Sequence, residues 1–350
     1  MKYKMLKLAL AIVIIFPLYT YPDSPTESPY RFHELTLYVI PSTAPFNWSS
    51  PSKLLQSYAK GFIKKPFTSN KYILGHMFVQ LSSPFLDEPV YTGMVNISHK
   101  DFWHYALEEK AGLGILGIGI EGKLEDKDEI RAKIQAYAKR KKIASITYRL
   151  NEESFVQVTG FLDYYSSEDS KGHKPSSHYG GAFWPLYEYE GAGCTAFGMA
   201  MLSVAGIGEE ARPEWKVQVN IPIELIGGEL NRGRSVKLTD ILRTKQWHSG
   251  QGIENTDYVP FWIFEPTLIY NWILMQIPGD NVAGAGRYRD ASAGNMPWLF
   301  ADFSDMDGKF DEPVITSRDV DNLFIRYFHS RNGLQAAHPE QAGDPEVPDN

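Results

Sequence analysis

Cysteine is almost absent from this chain. A single thiol, Cys194, in 350 residues excludes an internal disulfide, so that in an oxidising compartment it is either buried and inert or put to use. Basic surplus is missing as well. With 35 Lys and Arg against 42 Asp and Glu, the net charge is −7 and the pI near 5.8, which argues against nucleic acid as a partner and against charge-driven binding to anionic membranes. Beyond the first residues there is no apolar run long enough to span a bilayer. GxSxG elbows, HExxH zinc helices and P-loops are also absent, which removes three common routes to catalysis.

What is present begins at the N-terminus. Lys2, Lys4 and Lys7 precede the apolar run Leu8 to Leu18, and TYPDSPTESP follows. This is the layout of an export signal, so residues 1–26 are set apart as a signal peptide or N-terminal anchor. No small-x-small cleavage site is evident, and both outcomes stay open. The expected location is periplasmic or extracellular. The remaining chain, about 320 residues, is 43% hydrophobic and 13% aromatic over the full sequence, a composition that folds.

Along the chain, LTLYVIP alternates as a strand and PSKLLQSYAKGF reads as a helix opening on proline. YILGHMFVQL reads as a strand with Leu74, His76, Phe78 and Gln80 on one face, and VYTGMVN as its hairpin partner. GLGILG at 112–117 matches the dinucleotide fingerprint formally, but no helix opens within it, and a glycine-punctuated strand or loop is expected instead. A helix over 126–141 with Ile130, Ile134 and Tyr137 buried, a strand IASITYRL, and a helix capped by Asn151 follow. The polar stretch 166–181 carries His173 and His178 on a surface loop, without a Cys or acidic partner at metal-ligand spacing. DFSDMDGKFDE at 302–312 has calcium-loop acids in the middle but Phe303 and Val314 at the two ends, and reads as an acidic turn. Glu265 and Pro266 start a further apolar helix. No cofactor and no metal site are expected.

The sharpest local pattern is YEGAGCTAFGMAMLSVAGI. It places Cys194 at the start of a buried helix, with Gly206 closing the far end. Free N–H groups and the helix dipole at such a start stabilise a thiolate and can hold an oxyanion, while Gly191 and Gly193 would let a substrate approach the backbone. A nucleophilic thiol needs a base. Of the nine histidines, His76 stands alone within an apolar strand, and it follows Gly75.

GHMFVQL upstream and GAGCTAF at a helix start together resemble the circularly permuted papain-like cysteine enzymes of the NlpC type and the lecithin:retinol-acyltransferase-like branch. In these the chain order is His on a strand, a polar residue on a following strand, then Cys on a helix. The resemblance implies an α+β permuted papain-like fold over residues 30–280, with an antiparallel sheet packed against a central helix that starts at the Cys. Residues 281–330 would form a C-terminal extension packed on it, and 331–350 a disordered tail. It implies a hydrolase or acyltransferase acting on an amide or ester through Cys194 and His76, the substrate being a peptide, a cell-wall peptide or a lipid. Two features depart from the family: Gly193 precedes the Cys where the acyltransferase branch has a polar residue, and the His-to-Cys spacing is long. The third polar residue is not assigned, although Glu88, Thr92 and Asn96 lie on or near the next strand. The competing reading is a non-catalytic exported binding protein with an inert, buried Cys194 and an aromatic-rich ligand surface.

Overall fold

Residues 33–40 set the frame. Leu35, Leu37 and Val39 point one way and Tyr38 and Ile40 the other, so this strand must be covered on both sides. The computed structural model describes residues 30–97, 99–208, 213–277, 287–292, 294–306, 315–318 and 322–334. The expected signal or anchor segment 1–26, residues 307–312 of the expected acidic turn and residues 335–350 lie outside them.

In chain order the elements are β1 (His33–Ile40), α1 (Pro51–Lys64), β2 (His76–Ser82), β3 (Val90–Thr92), β4 (Met94–Asn96), α2 (His99–Trp103), β5 (Ile120–Leu124), α3 (Lys127–Lys139), β6 (Ala144–Leu150), α4 (Glu152–Ser166), β7 (His178–Tyr179), α5 (Cys194–Val204), β8 (Lys216–Pro222), α6 (Leu238–Arg243), β9 (Tyr258–Phe264), α7 (Pro266–Gln276), β10 (Tyr288–Asp290), β11 (Trp298–Asp302) and α8 (Leu323–Arg331). The fold is α+β. Its main sheet runs β10-β11-β6-β1-β2-β3. All its pairings are antiparallel except β11 with β6, which is parallel, so the sheet is mixed rather than purely antiparallel as expected. The segment 281–330 enters this sheet as two strands, and α8 ends at Arg331 with Leu334 buried behind it. The tail expected from residue 331 therefore does not begin before residue 335.

Capping follows local chemistry. Ser50, Asp126, Asn151 and Glu265 each accept a backbone N–H in the first turn of α1, α3, α4 and α7, a contribution of about 1 kcal/mol apiece. Met77, Val79, Leu81, Ile146 and Tyr148 face α4, α5 and α7, with Phe155, Phe161, Phe197 and Ile273 filling the layer. Each fully buried Leu, Ile or Phe of this kind contributes roughly 1.5–3 kcal/mol. On the opposite face Phe78 and Ile40 pack against Ile130 and Tyr137 of α3. A second core gathers around the β8–β9 ribbon through Ile221, Val259, Phe261 and Phe324.

Of the two outcomes expected for GLGILG, strand or loop, residues 113–116 take a 3₁₀ turn after Gly112 at φ +59°. One local expectation is corrected. The strand expected over 72–81 begins only at His76: Gly75 turns the chain at φ +77° and Leu74 is 54% exposed. A Cβ on Gly75 would stand 2.7 Å from Pro266 Cβ, so this turn tolerates glycine for both its backbone angle and its packing.

Candidate active site

Cys194 opens α5, where no side chain caps the first turn and Gly193 is the N-cap. The helix is buried along almost its whole length. It lies close on β2 because Gly198 has no side chain; a Cβ there would meet Met77 Sδ at 2.5 Å. One turn earlier on the same helix, residue 194 therefore comes over the start of β2. Thr195 Oγ1 donates to the Phe264 carbonyl at 2.8 Å and ties the helix start to β9.

There the structure brings the side chains of Cys194 and His76 within interacting range. His76 Nε2 lies 2.7 Å from Glu125 Oε2, which leaves Nδ1 for the thiol. Lys133 Nζ donates to the other carboxylate oxygen, Oε1. Tyr72 stacks on the imidazole, with ring centroids 4.5 Å apart and planes 12° apart. Cys194 is 7%, His76 3% and Glu125 6% exposed.

Glu125 is the member missing from the sequence reading. It follows β5 in a run of acids, and its backbone N–H bonds the Gly93 carbonyl at 2.8 Å. A Cβ on Gly93 would crowd Phe78 and Glu125 Oε2, at 2.9 and 3.1 Å, so Gly93 makes the room in which the carboxylate reaches His76. Of the residues weighed for this role, Glu88 is exposed and pairs with Lys127 at 2.6 Å, and Thr92 is buried with no partner for its hydroxyl. Asn96 ends β4, in register with Gly122 of β5.

Tyr179 was also missed. It sits in the loop that carries His173 and His178, on β7, which pairs with β5 through Ile120 and Glu121. Its phenol and the Met77 N–H both lie close enough to the Cys194 sulfur to favour the thiolate. His173 Nδ1 lies 3.2 Å from Asp169 and His178 packs edge-on against Phe328. The two histidines do not converge on a shared site.

The electrostatics favour an ion pair. Burial pushes the Cys194 thiol up, but the His76 imidazolium, the Met77 N–H and the Tyr179 hydroxyl outweigh it and hold the thiol below its ordinary value. Burial likewise opposes the charged imidazole, yet Cys194 and then Glu125 raise His76 to about 9. Glu125, despite burial, is held below the ordinary carboxyl range by His76 and Lys133. Burial, followed by the thiolate, drives Tyr179 far above its ordinary value, so it remains a donor.

Gly191 has a different task from the one expected. It lies directly against the His178 carbonyl, inside the space any Cβ would need, whereas a Cβ on Gly193 would meet the Gly180 carbonyl at an ordinary 3.4 Å. Gly191 thus packs the approach to α5 onto β7. Gly191→Ala is expected to destabilise the fold by more than about 3 kcal/mol, seen as a lowered urea midpoint. A midpoint unchanged from the parent would show that the 178–181 loop yields freely.

A surface cavity of about 610 Å³ lies beside α1, lined by Phe46, Trp48, Lys53 and Leu268, and includes neither Cys194 nor His76. Among the described residues no helix is long and apolar enough to cross a membrane. The chain matches no family model, no curated protein and no solved structure.

Proposed function

We propose that this chain is an exported cysteine-dependent hydrolase or acyltransferase with a permuted papain-like architecture, acting on an amide or ester through Cys194, His76 and Glu125. The observation that carries the reading is the buried row Cys194, His76 and Glu125 at a helix start, with His76 hydrogen-bonded to Glu125 and facing the thiol, met in the order His, Glu, Cys. A structural cysteine needs neither an imidazole on its sulfur nor a carboxylate behind that imidazole.

The thiolate of Cys194 attacks the carbonyl carbon and forms a C–S bond, and the carbonyl electron pair moves to oxygen. The donors nearest the sulfur, the Tyr179 hydroxyl and the Cys194 and Met77 N–H groups, are the candidates to stabilise that oxyanion. His76 gives its proton to the departing amine or alkoxide as the C–N or C–O bond breaks, leaving a thioester on Cys194. Neutral His76 then takes a proton from water or an acceptor alcohol or amine, whose attack releases the acyl group and restores the thiolate. Glu125, fixed by Lys133, keeps the ring oriented and steadies its charge.

One observation favours the alternative, a binding protein with an inert thiol: Cys194 is almost wholly covered. Mass spectrometry with activated acyl esters separates the two. The enzyme reading expects a single acyl adduct on Cys194 that turns over, lost in Cys194→Ala. Turnover that survives in Cys194→Ala, or a thiol acylated only in denaturant, would discard it.

A further inference from the structure

The charge of the whole chain conceals one lopsided stretch. Between Glu34 and Asp87 there is no acidic residue, while Lys53, Lys60, Lys64, Lys65 and Lys71 all fall there, in a protein of net charge −7. The structure folds the last four onto one exposed region, the end of α1 and the segment leading to β2, where residues 62–69 are all exposed. Among these lysines stand apolar side chains that the core does not take: Phe62 at 50%, Ile63 at 66%, Phe67 at 86% and Leu74 at 54% exposure, with Trp103 of α2 in edge contact with Phe62. Singly, exposed apolar residues need no explanation. A cluster of them interleaved with lysines is the composition that inserts rings among lipid headgroups while the ammonium groups stay at the anionic surface.

Its position ties it to the active site. Asn70 bonds the Pro41 carbonyl at 2.7 Å and Thr43 N–H bonds Tyr72 O at 3.0 Å, which pins the segment over the end of the sheet where β1 finishes and His76 begins. Tyr72 stacks on His76, and Leu74 stands two residues before it.

We propose that this surface docks the protein on an anionic lipid bilayer, with Phe62, Ile63, Phe67 and Trp103 entering the headgroup layer and Lys60, Lys64, Lys65 and Lys71 facing the lipid charge. The local charge thereby overrides the expectation, drawn from net charge alone, that anionic membranes are not bound. The assignment stands apart from the thiol chemistry.

Flotation of the full chain with vesicles of phosphatidylcholine, alone or mixed equally with phosphatidylglycerol, tests it. Any binding through the N-terminal apolar segment is common to both vesicles, so the readout is the difference between them. Binding is expected to be at least about tenfold stronger on the anionic vesicles at low salt, to weaken as salt rises, and to lose that advantage in Lys64→Glu/Lys65→Glu. Phe67→Ser is expected to weaken anionic binding several-fold. Iodoacetamide labelling of Cys194 should be unchanged in both variants, which shows that they fold and separates this result from the fate of the enzyme reading. Equal binding to both vesicles, variants that bind like the parent, or a lipid-independent self-association abolished by Phe67→Ser would each overturn it, the last by making the patch a contact between copies.

Discussion

Iodoacetamide is expected to label Cys194 in the folded protein quickly at pH values well below the ordinary thiol value of about 8.5, because His76, Met77 and Tyr179 hold the thiolate against the cost of burial. In His76→Ala the strongest of these opposing influences is gone and burial remains, so the thiol rises. Each pH unit of rise removes about tenfold of the thiolate fraction, and labelling near neutrality should fall by at least about that factor. Acyl transfer should trace a different curve from alkylation, since it also needs the imidazolium as an acid. His76 is raised to about 9. Turnover should therefore climb as the thiol ionises, hold through neutrality, and decline as pH passes about 9, while alkylation stays high. A thiol inert until denaturant is added, or a His76→Ala variant that labels like the parent, would leave Cys194 as packing.

The second large effect is expected at Glu125. Glu125→Gln keeps the shape but removes the charge that faces His76 Nε2 at 2.7 Å and Lys133 on the other side. The ring then loses the acceptor that fixes its tautomer. By analogy with amide substitution of the buried aspartate in serine protease triads, turnover should fall roughly a thousandfold. The decisive sign is in the pH profile: without the Glu125 carboxylate the imidazolium is less stabilised, so the alkaline decline of any residual turnover moves to lower pH. A structural role alone would lower the unfolding midpoint and leave that limb in place. An unchanged limb with a lowered midpoint would make Glu125 a packing residue and return the third position to an unassigned group.

The residues in the sequence that proved most readable were those whose chemistry is local. Asn151 announces its helix because a short polar side chain can satisfy the first turn by itself, and it does so at 2.8 Å from Ser154 N. Cys194 at a glycine-flanked helix start and His76 beside Gly75 were visible for the same reason: each is unusual in its immediate surroundings. Glu125 is not. In LEDKDE it has the look of any solvated acid before a helix, and only the β4–β5 register, the bond to Gly93 and the absent Cβ of Gly93 turn it inward. Tyr179, in a polar Ser- and His-rich loop, was hidden in the same way. Trp298–Asp302 was placed in an extension because nothing in its neighbours shows that it runs parallel to β6.

The amino-acid sequence by itself pointed to the α+β fold class, the places where its helices begin, and the Cys and His that meet, since composition, caps and alternation act over a few residues. Only the tertiary structure decided which carboxylate orients the histidine, which phenol faces the sulfur, and that scattered lysines and phenylalanines share one surface. Those facts depend on strand register and on close approaches at glycine, and both bring together residues far apart in the chain.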